Sequence, residues 1–190
     1  MSADSETAPC ISATDADGHR LRMRAWQGDH VTTRLLIRPA RRSDLDGVGP
    51  LAGSLSRAQV RLQAAERGDE SMAVAVLASW IVGVQSIRWS RGCDPPHPWL
   101  YGLHVTPEVQ RQGIGRALVQ AAEDLGRRRG AHRMTLDVDV DDAGAIAFYQ
   151  ALGYVVRRPH QHRWRSVDPQ TGDVIAEGTA ATLIMGRALR

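Results

Sequence analysis

Gly113 and Gly115 stand one residue apart in Gln110-Arg111-Gln112-Gly113-Ile114-Gly115-Arg116, where an apolar strand pattern gives way to a helical one. Glycine weakens a helix, so its presence there asks for a second reason. A helix N-terminus carries unpaired N–H groups and about half a positive charge. It binds phosphate when the preceding loop lets the ligand reach the backbone. Glycines remove the Cβ atoms that would block that approach, and Arg111 and Arg116 add positive charge. The spacing is not the dinucleotide fingerprint, which needs a third glycine three residues on. It is not the Walker pattern either, which needs Gly-Lys-Ser/Thr. The loop has room for a diphosphate, although a plain strand-to-helix turn would carry the same glycines.

Other candidates carry their chemistry in side chains. Asp137 and Asp139 alternate with Leu136, Val138 and Val140, so both face away from the apolar side of a strand. His104 ends another apolar strand and is a candidate base, because imidazole titrates near neutrality. Each is equally well read as a solvated or ion-pairing residue. The run 157–165, RRPHQHRWR, gathers arginine, histidine and tryptophan. It suits an anionic or planar ligand through guanidinium pairing and stacking, or is the solvated face of a hairpin. Cys10 and Cys93 give neither a disulfide framework nor a CxxC metal pair, and no metal is expected.

The elements that must position these groups follow from periodicity and breakers. Residues 1–33 read as a polar tail, with one extra strand at 20–26. RLLIRPA from 34 is a first strand stopped by Pro39. Ser43 is expected to cap a helix that Gly49 and Pro50 then break, and 57–67 is a second helix. SMAVAVLAS and WIVGVQSIRW are antiparallel strands turning near Ser79. SRGCDPPHP is a loop, and 99–105 is a strand. Residues 113–129 form a helix with Leu118, Ala121, Ala122 and Leu125 on one face. Residues 133–140 are a strand, and AGAIAFYQALG is a helix closed by Gly153. YVVRR is a strand, HRWRSVD and DVIAEG a hairpin around PQTG, and ATLIMGRAL the last strand. The fold class is α/β in one domain, 34–190.

Composition bounds the function. The chain has 190 residues and a formal net charge of +3, too mild and too scattered to mark a nucleic-acid binder. All 24 basic residues are arginine, and asparagine is absent as well, which points to a GC-rich coding sequence rather than to chemistry. No apolar run approaches the roughly 20 residues that cross a bilayer, and the acidic N-terminus lacks the features of a secretory signal. A cytoplasmic protein is expected, with neither membrane nor nucleic acid as partner.

The run Gln110-x-x-Gly113-x-Gly115, after a strand ending at Val105 and after Pro107, resembles the acetyl-CoA loop of the GNAT superfamily of N-acetyltransferases. A second block agrees: Leu136-Asp137-Val138, then Asp142, Ala145, Phe148-Tyr149 and Leu152-Gly153-Tyr154. There the family usually reads Leu-x-Val, Asn, Ala, a large apolar residue then Tyr, and Leu-Gly-Phe/Tyr. Both blocks stand in the family's order and separation. The resemblance implies a central mixed, mostly antiparallel sheet of about seven strands, flanked by helices and splayed between strands 4 and 5. It implies an acyltransferase that moves acetyl from acetyl-CoA to a primary amine of a small molecule or protein N-terminus, by direct transfer in a ternary complex.

The resemblance also assigns residues. Arg111, Gln112, Gly113, Ile114, Gly115 and Arg116 hold the diphosphate, led in by Gln110. Backbone N–H around Val105, beside His104 on the fourth strand, receives the thioester carbonyl as it becomes an oxyanion. Tyr149 matches the acid that protonates the leaving thiolate. Asp137 falls where ribosomal-protein alanine acetyltransferases have a Glu base, one methylene longer, so a water fits between; His104 is the other candidate. Asp142 stands where Asn is usual. It accepts hydrogen bonds but donates none, which removes the donor from one pantetheine contact. The expected partners are acetyl-CoA and an amine acceptor, with a homodimer left open. An alternative of another class is a catalytically weak acyl-CoA-binding sensor. Tyr149 favours the enzyme, and Asp142 favours the sensor.

Overall fold

The structure, a computed structural model, describes residues 34–89, 98–165 and 173–190, together with the backbone of 12–14, 20–22 and 166–167. It divides into two compact units, Met1–Ser86 with Gly102–Ala122, and Ile87–Tyr101 with Glu123–Arg190. The strands β5 (Trp80–Arg88) and β6 (Trp99–Val105) and the helix α3 (Ile114–Arg128) run through both.

In the first unit the strand order is β2-β1-β3-β4-β5-β6, with β1 at Ser12–Thr14, β2 at Arg20–Arg22, β3 at Leu35–Pro39 and β4 at Glu70–Leu77. β2 lies within the expected extra strand at 20–26, whereas nothing in the sequence pointed to β1. Leu35 and Ile37 alternate into the core, and β3 stops at Pro39, where the chain loses its N–H donor. β4 and β5 are joined through Ala78 and Ser79, both at positive φ, which is the backbone of the two-residue turn that matches strand twist.

Two helices cover this part of the sheet. α1 (Leu45–Val48) is a single turn, and α2 (Leu55–Glu66) follows. Ser43 is not the cap expected of it: it sits inside a 3-10 turn, Arg42–Asp44, whose Asp44 carboxylate accepts the Arg41 N–H at 2.7 Å and the Arg38 guanidinium at 2.6 and 2.8 Å. The serine that caps is Ser54, which accepts from Arg57 N–H and starts α2. Ala58 and Leu62 of α2 bury against Val48, Met72, Val74 and Val84. Ile114, Ala117 and Leu118 of α3 bury against Leu35, Ile37, Ala75 and Val82. Close approach of α3 explains Gly83, where a Cβ would fall 3.0 Å from Leu118 Cδ1 and 3.2 Å from the His104 carbonyl oxygen.

In the second unit the order is β6-β7-β9-β8, with β7 at Arg133–Asp139, β8 at Val155–Val167 and β9 at Val174–Ala188. Counted from Leu35, β6 and β7 are the fourth and fifth strands of seven. They run parallel and share one register pair, Trp99 opposite Thr135. A ladder this short is the splay expected there. β7 pairs antiparallel with β9, and β9 antiparallel with β8.

β8 and β9 correct the reading of the C-terminal third. Two long strands of 13 and 15 residues replace the four short ones expected. Pro159 does not end β8, because β8 is the edge of this order and a missing N–H there costs no ladder bond. The break expected between YVVRR and HRWRSVD is therefore absent, and residues 157–165 are continuous strand. The PQTG turn and most of the SRGCDPPHP loop lie outside the described residues. No helix among the described residues is long and apolar enough to cross a membrane.

Candidate functional site

In the first unit β6 delivers the chain into the glycine loop. Thr106 N–H donates to the Val82 carbonyl at 2.9 Å. Successive N–H groups of a strand point to opposite sides, so Val105 turns its N–H and C=O away from β5. Its carbonyl accepts the Gln110 side-chain amide at 2.9 Å, which ties the loop back to the strand it leaves. The chain then turns through a 3-10 segment, Pro107–Val109, and reaches Arg111 at φ +63° and Gly113 at φ +89°.

This loop has the form of an anion cradle. Positive φ costs a residue with a Cβ about 1–2 kcal/mol, so Arg111 stores strain at the position the sequence singles out. Alternating left-handed residues aim successive N–H groups toward one point. Ala117 N–H donates to the Gly113 carbonyl at 2.9 Å, which makes Gly113 the residue before the first helical turn. The N–H groups of Ile114, Gly115 and Arg116 then have no intrahelical partner. Ile114 is buried in the core and anchors the turn, whereas Arg111 and Arg116 are exposed on either side. A diphosphate fits these donors.

His104, also in this unit, is exposed at the strand end. Even so, the protein around its ring, and then the Arg61 guanidinium, hold its pKa below the ordinary imidazole value. Sequence reasoning missed Arg61. It donates to Ser86 Oγ at 2.7 and 3.0 Å and to the Gly102 carbonyl at 3.2 Å. Gly102 stands at φ +59° in the middle of β6, and a Cβ there would fall 2.6 Å from Arg61 Nη2. The glycine inside an apolar strand was the available signal, since such a glycine marks a kink or a close approach.

The second unit holds Tyr149, Asp137 and Asp142. Asp142 is the N-cap of α4 (Ala143–Ala151), and its Oδ1 accepts Ala145 N–H at 2.8 Å. Aspartate caps a helix as well as asparagine does, so this structural role survives the substitution. The helix ends with Gly153 at φ +87°, Gly153 N–H on the Gln150 carbonyl and Tyr154 N–H on the Tyr149 carbonyl, a Schellman closure that only glycine satisfies without strain. Tyr149 is buried between the Phe148 ring at 5.0 Å and the Tyr154 ring at 5.6 Å. Burial, and then the Asp137 and Asp142 carboxylates, push its pKa well above the ordinary phenol value. Tyr149 therefore keeps its proton throughout the physiological range.

Asp137 is half-buried on β7 between the buried Leu136 and Val138, as the alternation predicts, and pairs with His162 of β8 at 3.2 Å. Asp139 is exposed. Glu123 is buried with both oxygens on Arg187, at 2.8 and 2.9 Å, a pair that the sequence did not signal. Among the described residues no group of three or more His, Cys, Asp or Glu side chains is arranged to hold a metal ion.

Comparison with known proteins adds the following. The profile of the Acetyltransferase (GNAT) family matches residues 40–154. A mycothiol acetyltransferase of Paenarthrobacter aurescens (strain TC1) is 34% identical over 113 residues, 56% of this chain and 34% of that protein. A [ribosomal protein bS18]-alanine N-acetyltransferase of Escherichia coli (strain K12) is 42% identical over 55 residues, 29% of this chain and 37% of that protein. The chain thus spans about a third of the length of these curated relatives. Among solved structures, an acetyltransferase from Salmonella typhimurium with its cofactor acetyl-CoA superposes with a TM-score of 0.63 at 20% identity, covering 82% of this chain and 94% of that one. That likeness is one of fold.

Proposed function

The chain belongs to the Acetyltransferase (GNAT) family, and from that premise we propose that it transfers an acetyl group from acetyl-CoA to a primary amine by direct attack in a ternary complex. The observation that carries the reading is the loop at 110–116, with left-handed residues at Arg111 and Gly113 opening onto the unpartnered N–H groups of α3. Those N–H groups, with Arg111 and Arg116, hold the diphosphate, and Gln110 keeps the loop folded onto β6. Val105 N–H, facing away from β5, serves as the donor to the developing oxyanion. Tyr149 is the proton source for the departing thiolate, since its raised pKa keeps it in the donor form. Asp137 and His104 are the candidate bases for the amine. Asp142 acts through the start of α4, on which Tyr149 rides.

The catalytic domain is 34–190, 1–33 is a polar N-terminal segment that contributes β1 and β2, and the protein works in the cytoplasm. Two relatives carry names that include mycothiol and a ribosomal-protein alanine. Both acceptor types, a small amine and a free protein N-terminus, therefore belong in the test. The experiment is thiol release from acetyl-CoA across a panel of small primary amines and peptides with free N-termini, N-terminal alanine included. Release with at least one member is the expected result. Tight acetyl-CoA binding with no release for any acceptor would replace the enzyme with an acyl-CoA sensor.

A further inference from the structure

Asp137 and His162 are 25 positions apart in sequence, on strands separated by β9, yet Asp137 Oδ2 and His162 Nδ1 lie 3.2 Å apart. The register puts both on one face of the sheet, although it sets Asp137 in line with Arg158, four residues short of His162. Asp137 stands opposite Ile184 of β9, His160 opposite Thr182 and His162 opposite Ala180. Residues facing each other across a ladder share a face, and so do alternate residues along a strand. Asp137, His160 and His162 are therefore on one face, over a row of β9 residues that includes the small Ala180 and Gly178. Trp164 lies down on Gly178, where a Cβ would meet its ring at 2.8 Å. The short side chains of β9 let the β8 rings lean across it.

We propose that His162 is the general base of the acetyl transfer and that Asp137 is the residue that orients it. This rests on the acetyltransfer reading above and changes the part Asp137 plays in it. Nδ1 at hydrogen-bond distance from a carboxylate carries the proton, which leaves the Nε2 lone pair outward as acceptor. The His162 side chain is 45% exposed and that of Asp137 is 17% exposed, so an incoming amine meets the ring before the carboxylate. An imidazole is also better matched than a carboxylate to taking a proton near pH 7. Burial first, and then the Asp137 charge, hold the Tyr149 phenol protonated as well. Acid, orienting group and base are thus all in the second unit.

The step balances. The amine nitrogen attacks the thioester carbonyl carbon, and its proton passes to His162 Nε2. The C–S bond breaks with its electron pair on sulfur, and the thiolate takes the Tyr149 proton. The imidazolium returns a proton to the Tyr149 phenolate through solvent, so amide and free thiol are the products.

The test uses the full chain and two readouts. The first needs no substrate: long-range nitrogen–proton NMR of the imidazoles, with His162→Gln to assign the signal. The Nδ1–H tautomer is expected for His162 in the wild type, and a shift toward Nε2–H in Asp137→Asn. The second is thiol release from acetyl-CoA with the amine panel, alongside calorimetric acetyl-CoA affinity. His162→Gln is expected to lower kcat about 10²-fold with the acetyl-CoA dissociation constant unchanged. Full turnover in His162→Gln, or a His162 tautomer indifferent to Asp137→Asn, overturns the proposal and leaves acetyl transfer standing. A wild-type chain that neither binds acetyl-CoA nor releases thiol overturns the acetyltransfer reading itself, and this proposal with it.

Discussion

The glycine loop at 110–116 offers a ligand its main chain, while Asp137, Tyr149 and His162 of the second unit offer side chains. A main-chain site is indifferent to most substitutions and intolerant of a Cβ or a changed φ. A side-chain site survives changes of backbone neighbours but loses its chemistry with a single hydroxyl or ring nitrogen. The first kind suits a ligand part that never varies, such as a diphosphate. The second suits proton transfer, where pKa values and tautomers must be tuned.

Substitutions can separate the two regions, and the largest effect is expected at Gly113. Gly113→Val places a β-branched side chain at φ +89° and over the converging N–H groups. Acetyl-CoA affinity should fall at least about 10³-fold, or 4 kcal/mol, while circular dichroism keeps the wild-type fold. A folded variant that binds normally would remove the loop from the site.

Tyr149→Phe comes next and should show the opposite pattern. It keeps the ring packed between Phe148 and Tyr154 and removes only the hydroxyl. We expect kcat to drop about 10²-fold with little change in KM, since proton donation belongs to the transition state. Equal losses in both constants, measured where chemistry limits the rate, would make Tyr149 a packing residue.

His104 should register in stability rather than in binding. Its folded pKa lies below the ordinary value, by burial first and Arg61 second. The unfolded chain therefore takes up the proton first as pH falls, and stability is lost below about pH 6.5. Urea midpoints at pH 7.5 and 5.5 should differ less in His104→Gln than in the wild type. An equal decline in both would place the acid sensitivity elsewhere.

Asp142→Asn is expected to do least, changing stability by under about 0.5 kcal/mol, because both residues cap α4 equally well. A large gain in turnover would show that the missing amide donor does limit this chain.

The same contrast explains what could be read before folding. The loop was legible because positive φ and close approach demand glycine, and glycine is visible in a sequence. The end of α4 was legible for the same reason, since Gly153 marks it, whereas the capping role of Asp142 was not read. The Asp137–His162 pair was not, because it depends on β9 lying between β7 and β8 and on their registers. Glu123 with Arg187 stayed hidden because it joins α3 to β9, and Arg61 over Gly102 was missed although the glycine within β6 signalled a close approach. The break between YVVRR and HRWRSVD did not appear, because a proline interrupts a strand only where its N–H is needed, and β8 is an edge strand. Ser43 misled because Asp44, one residue on, already closes that turn with its carboxylate.

Main-chain recognition by the loop is the central claim, and backbone amide NMR during an acetyl-CoA titration tests it most directly. The N–H signals of 111–116 should move furthest and saturate together, with those of Ile114, Gly115 and Arg116 shifting as new hydrogen bonds form. Saturating binding that leaves these amides unmoved would contradict the account.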